Sequence, residues 1–261
     1  MGNHGISLIV KKGDRSREDG TGAAFGKISL SREAFHPLMV KDKVRKEPDY
    51  RKQRYELVES LMRKGYLRSD AAIQAMRSVP RESFLPEDIR GASYFDHPLE
   101  IGEGQTISAP HMVAIMVEAL DLKPGQKVLE IGAGSGYHAA VVAHMIGDTG
   151  HVYTVERIHE LVEFAQHNLR MAGLSERVTV LEGDGSKGDL EHAPYDRIFV
   201  AAASPNIPKP LEKQLKEGGK ILVPVGKFHQ DLLLGVLNHG RLEISDLGGC
   251  IFVPLIGEHG F

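Results

Sequence analysis

Three observations predict a doubly wound α/β domain with a mostly parallel sheet and an antiparallel C-terminal edge. First, short apolar runs alternate with helix-length amphipathic segments from about residue 127 onward, the pattern of strands joined by crossover helices. Second, the run Val128-Leu129-Glu130-Ile131 passes straight into Gly132-Ala133-Gly134-Ser135-Gly136 and then into a helical segment from Tyr137 to Ile146. Such a strand–glycine turn–helix unit forms the nucleotide-binding corner of this architecture. Third, the last apolar runs (Asp231 to Leu237, Glu243 to Leu247, Gly249 to Pro254) have no helix-length segment between them, so neighbouring strands must run antiparallel.

Taken in order, residues 1–50 are rich in Gly, Ser, Lys and Arg and lack periodicity. They read as a poorly structured or loosely attached basic extension, with a basic docking arm as the alternative. From Tyr50 the pattern turns helical. Tyr55, Val58, Leu61 and Met62 share a face, and Gly65 ends the helix. Ser69 caps a second helix carrying Ile73, Ala75, Met76 and Val79, which Pro80 ends. Residues 81–96 read as a loop anchored by Phe84, Leu85 and Tyr94, and a third helix spans Met112 to Leu120. These pieces form an N-terminal helical cap over about 51–122 of a domain spanning 51–261. Later strands are expected at His151 to Glu156, Val178 to Leu181, Arg197 to Ala202 and Lys220 to Val225.

The 261 residues suffice for one α/β domain with additions, and 41% hydrophobic with 26% charged residues is ordinary for a soluble protein. A net charge of −3 argues against binding nucleic acid by phosphate neutralisation. No apolar run approaches the roughly 20 residues of a membrane helix, and Met1 to Val10 lacks the features of a signal peptide. The single Cys250 lies in an apolar run and reads as packing; it excludes an internal disulfide and a multi-cysteine zinc site. The thirteen His are scattered, without ligand spacing for a metal. A cytoplasmic monomer is the expectation.

The glycine turn discriminates among nucleotides. A dinucleotide site uses G-x-G-x-x-G, whose third glycine would fall at 137, where Tyr137 stands; no G-x-x-x-x-G-K-[ST] lysine is present. The pattern is E-x-G-x-G-x-G, which suits a ligand without phosphate. S-adenosylmethionine, with an amino-acid tail, a sulfonium and an adenosine, meets that description. Glu130, with Gly132 and Gly134, is expected at the methionine end, its carboxylate taking the ammonium. Glu156, twenty-four residues beyond Gly132, is placed to accept from the ribose hydroxyls, and Asp184 with Gly185 to contact adenine. Three successive strand ends thus carry acids.

The segment Glu100 to His111 is unusual for a scaffold: a glycine-containing loop with Thr106, Ser108, an amide and a His just before a helix. Ser108 stands where a helix cap would sit. A hydroxyl-rich loop at a helix N-terminus is equally an anion site, able to hold a substrate carboxylate.

On these motifs the chain resembles the protein-L-isoaspartate O-methyltransferase family. The matching pieces are Gly104-Gln105-Thr106-Ile107-Ser108-Ala109-Pro110-His111-Met112, Val128 to Tyr137, Tyr153 to Arg157, Gly183-Asp184-Gly185, Ala193-Pro194-Tyr195-Asp196 and Pro224-Val225-Gly226. The resemblance covers about 50–261. The first motif is specific to the family, and the second is common to many methyltransferases. Ala201, His138 and Ser204 stand where the family more often has Thr, Asn and Ala. The resemblance implies a Rossmann-like fold and methyl transfer from S-adenosylmethionine to the α-carboxylate of L-isoaspartyl residues in damaged proteins and peptides. It implies Ser108 as the group that hydrogen-bonds that carboxylate, with Thr106 and His111 shaping the loop or touching cofactor. Among rival readings, an amine-methylating enzyme would carry an amide or acid before prolines after the fourth strand, where Ala201-Ala202-Ala203-Ser204-Pro205 stands. A dehydrogenase is disfavoured by Tyr137, and a non-catalytic module by the intact Ser108 loop.

Overall fold

Val128, Leu129 and Ile131 lie on the middle strand of the parallel part of the sheet, a run whose apolar residues are buried on both faces, as a parallel strand between two layers requires. The computed structural model describes residues 48–261, so the expected N-terminal extension falls, but for its last three residues, outside the described residues. Helices α1 (Tyr50–Arg63), α2 (Asp70–Ser78) and α3 (Pro110–Leu120) precede the core. A hairpin of β1 (Leu99–Gly102) and β2 (Gln105–Ile107) lies between α2 and α3. The core then runs β3 (Lys127–Ile131), α4 (Tyr137–Ile146), β4 (His151–Glu156), α5 (His159–Met171), β5 (Val178–Glu182), β6 (Tyr195–Val200), α6 (Lys209–Lys213), β7 (Leu215–Val225), β8 (Gln230–Asn238) and β9 (Arg241–Cys250).

The sheet order is β5-β4-β3-β6-β7-β8-β9. Strands β5 to β7 are parallel, and β8 and β9 add antiparallel to β7. The chain moves outward from β3 through β4 to β5 and then returns to the other side of β3. Right-handed crossovers therefore put α4 and α5 on one face, where they join α2 and α3 in one apolar cluster with Val128, Val152 and Phe199. They put α6 on the other face, against Ile131, Val200 and Ile221. The order reverses between β3 and β6, and the crevice beyond their carboxyl ends is where such sheets bind ligands.

Three details differ from the sequence expectation. The segment from Glu100 is a hairpin rather than a loop: Gly102 (φ 99°) pairs with Gln105, and the two-residue turn Glu103-Gly104 between them has both φ positive (52° and 66°). The two apolar runs expected after Asp231 to Leu237 are one strand, β9: the ladder continues through Gly249 opposite Asp231 and Cys250 opposite Gln230. Gly248, at φ 104°, lets the strand bulge instead of break. Residues 251–254 then leave the sheet edge, and Pro254 bridges to Ala203 beside the end of β6. Finally, β7 begins at Leu215, earlier than expected, with an irregularity between Tyr195 and Arg197 on its partner.

Candidate active site

The glycine corner is built by close approach. Gly132 and Gly134 hold φ of 92° and 52°, a region costly for other residues. A Cβ on Gly132 would meet the Ala201 Cβ at 3.5 Å, and one on Gly134 the Ile101 side chain at 3.3 Å. The ends of β3 and β6 and the β1–β2 hairpin thus converge on the turn. Gly136, at φ 83°, caps α4 without any side-chain hydrogen bond, which leaves first-turn N–H groups of that helix available. Around this turn is a cleft open to solvent, lined by the glycine corner, the β1–β2 hairpin and the C-terminal segment.

Glu130 lines that cleft and is fully buried, yet neither carboxylate oxygen has a hydrogen-bond partner among the described residues. It faces Thr154 across the β3–β4 register, and the Thr154 hydroxyl is also unpartnered. Burial pushes the Glu130 carboxyl up to about 8; the nearby Thr154 hydroxyl, though outside hydrogen-bond geometry, pulls it down, and the Glu156 charge pushes it up. Buried polar groups are normally satisfied, so this carboxyl is built for a partner that the fold does not supply. His138, in the first turn of α4, lines the same cleft with both ring nitrogens unpartnered. Its ring packs on Phe199 at 4.4 Å between centroids, and burial holds it at about 3, so it is neutral at any working pH.

Glu156 lines the cleft at the end of β4 and clamps the corner. Its Oε2 accepts from Gly134 N at 3.1 Å, and its Oε1 from Arg157 N at 2.9 Å and Ile158 N at 3.1 Å. Oε2 keeps acceptor capacity on the cleft side.

Asp184 stands behind the wall. Its Oδ1 accepts from Ser186 N at 2.9 Å and Ser186 Oγ at 2.6 Å, and its Oδ2 from Glu258 N at 2.9 Å. These bonds hold its carboxyl below the ordinary range against the opposing effect of burial. His259 N donates to the same Ser186 hydroxyl at 3.0 Å, so Asp184 ties down the C-terminal segment whose Val253 to Ile256 form one wall. The neighbouring Gly185 does line the cleft, and a Cβ there would lie 2.4 Å from Ile131 Cγ2.

The hairpin strand β2 brings Thr106 and Ser108 to the cleft. The cap of α3 is Ala109, with Pro110 at the first turn and no side-chain cap. Ser108 is therefore not the helix cap that its position suggested, and its hydroxyl makes no hydrogen bond among the described residues. Its carbonyl accepts from Arg81 Nη2 at 2.9 Å. His111 does not line the cleft. Its ring Nδ1 pairs with Asp96 Oδ1 at 2.8 Å, and its backbone N donates to the same oxygen at 2.9 Å, which secures the first turn of α3. Of the expected residues, Glu130, Gly132, Gly134, Glu156, Gly185, Thr106 and Ser108 share one cleft; Asp184 and His111 sit behind it. Sequence reading missed Tyr137, the C-terminal wall and His138 as a lining residue, whose one signal was an unusual residue in a familiar motif.

A family model for protein-L-isoaspartate(D-aspartate) O-methyltransferase matches residues 52–260. The chain belongs to that family. A protein-L-isoaspartate O-methyltransferase from Hyperthermus butylicus is 54% identical over 226 residues, which cover 83% of this chain and 94% of that protein. A solved protein-L-isoaspartate O-methyltransferase superposes with a TM-score of 0.72 at 33% identity, covering 79% of this chain and 67% of the other. A Plasmodium falciparum structure of this family in complex with S-adenosyl-L-homocysteine gives a TM-score of 0.70 at 27% identity, covering 78% and 98%.

Proposed function

We propose that this chain transfers a methyl group from S-adenosylmethionine to the free α-carboxylate of L-isoaspartyl residues in damaged proteins and peptides, as a repair enzyme. The observation that carries the reading is a single cleft containing both an E-x-G-x-G-x-G corner with an unpartnered buried carboxyl and the free hydroxyl of Ser108. The corner fits the cofactor: Glu130 lacks the cation that an amino-acid tail would bring, and the glycine turn offers close backbone approach without a phosphate-binding lysine. Glu130, Gly132 and Gly134 would hold the methionine end, Glu156 the ribose, and Gly185 the adenine, with Asp184 holding Gly185 and the C-terminal wall in place. When bound, the cofactor supplies an electrophilic methyl on its sulfonium.

The chain's own part is positioning. An α-carboxylate, with an unperturbed pKa of about 3.5, is ionised at neutral pH, so no general base is required. Ser108 donates a hydrogen bond that orients the attacking oxygen, and Thr106 shapes the same edge. His111, fixed to Asp96, keeps the α3 end of the segment still. The apolar wall of Val253 to Ile256 limits water around a reaction in which charge is neutralised. Ala201 and Ala202 line the cleft at the end of β6, where an amine-methylating enzyme would need an amide or acid. The net charge of −3 likewise favours a protein over a nucleic-acid acceptor. Among the described residues no helix is long and apolar enough to cross a membrane. Methyl transfer to an isoaspartyl peptide and not to its aspartyl twin is the test.

A further inference from the structure

Arg81 is the largest fully buried side chain of the described residues, with no exposed surface. Its Nε donates to Ser93 O at 3.0 Å and its Nη2 to Ser108 O at 2.9 Å, while Nη1 has no partner. The guanidinium lies 5.0 Å from the centroid of the Tyr137 ring. Both residues it touches on that side, Ser108 and Tyr137, line the cleft. Among the described residues it forms no ion pair. The acids nearby are engaged elsewhere: Asp96 with His111 and Lys64, and Glu82 with Tyr94 and Arg54. An arginine does not lose its proton in a protein, and a buried charge without a counter-ion is costly. This cation therefore sits one residue's thickness behind a site that must accept an anion.

We propose that Arg81 is a positioning residue of the reaction: it fixes the Ser108 backbone at the cleft edge and supplies, from behind the wall, the positive charge that selects a carboxylate. The inference rests on the proposed acceptor and adds the residue that discriminates for its charge. Two roles follow from one side chain. The two directed hydrogen bonds to Ser93 O and Ser108 O hold the loop, and the charge acts across Ser108 and the Tyr137 ring at low local dielectric.

The test compares the full chain with Arg81→Lys and Arg81→Met. The readouts are cofactor affinity by calorimetry and the affinities of two peptides that differ only in whether the isoaspartyl α-carboxyl is free or a carboxamide. The parent is expected to prefer the carboxylate. Arg81→Met is expected to lose roughly tenfold or more of that preference while cofactor affinity changes by less than about threefold. Arg81→Lys, which keeps the charge but loses one of the two carbonyl contacts, is expected to retain most of the preference and to lose turnover. The proposal is overturned if Arg81→Met keeps the parent's carboxylate preference, if Arg81→Lys loses it as fully as Arg81→Met, or if cofactor and peptide affinities fall in parallel. A parent that binds cofactor but neither peptide would instead sink the acceptor reading beneath it.

Discussion

Glu130→Gln separates what the buried carboxyl does for the fold from what it does for the ligand. The folded chain holds this carboxyl at about 8 against an ordinary 4.5. A value raised in the folded state means that the folded protein binds the proton more tightly than the unfolded one, so stability is greatest below about 4.5 and is lost as pH rises towards about 8. At about 1.4 kcal/mol per pH unit, ionising Glu130 costs the ligand-free fold on the order of 5 kcal/mol by pH 9. Glutamine has nearly the same shape and does not titrate. The variant should match the parent's stability near pH 5 and exceed it by several kcal/mol at pH 9, read as urea midpoints with unchanged slopes. Its cofactor affinity should fall roughly tenfold to a hundredfold, because an amide cannot neutralise an ammonium. Cofactor binding to the parent at pH 7 should release close to one proton, seen by calorimetry in buffers of different ionisation enthalpy. A stability difference that does not vary with pH, or binding with no proton release, would refute the assignment of Glu130 as the unsatisfied partner of the cofactor's amine.

Ser108→Ala should lower turnover about tenfold to a hundredfold while cofactor affinity stays within about threefold; equal loss of both would remove Ser108 from the reaction. Glu156→Gln should weaken cofactor binding by about 1–3 kcal/mol, measured by titration, because it removes both the charge and the Gly134 clamp. Gly185→Ala should destabilise the protein by about 1–3 kcal/mol, since its Cβ would lie 2.4 Å from Ile131 Cγ2; a denaturation midpoint equal to the parent's would contradict that packing.

The nucleotide corner was legible in the sequence because it is local: strand, three glycines and helix are contiguous, and each glycine answers a positive φ or a close contact. The alternation of strands and helices gave the sheet and its antiparallel edge for the same reason. What the sequence hid is tertiary. The two-residue turn Glu103-Gly104 has Glu where such turns usually carry Asn, Asp or Gly, so β1 and β2 read as a loop. Asp184 at a strand end looks like a ligand acceptor until Ser186 and the Glu258 N–H, the latter more than seventy positions away, supply its donors. Gly248 reads as a break, but the β8 register carries β9 through it. Arg81 gave no periodic or motif signal, because its significance lies in a carbonyl 27 residues away.

The central claim, that this cleft presents a carboxylate to a methyl donor, is tested most directly by transfer of labelled methyl from S-adenosylmethionine to two synthetic peptides that differ only in isoaspartyl versus aspartyl at one position. The account predicts labelling of the isoaspartyl peptide alone, as a base-labile ester, at a rate about tenfold to a hundredfold lower in Ser108→Ala. Bound cofactor with no label on either peptide would contradict it.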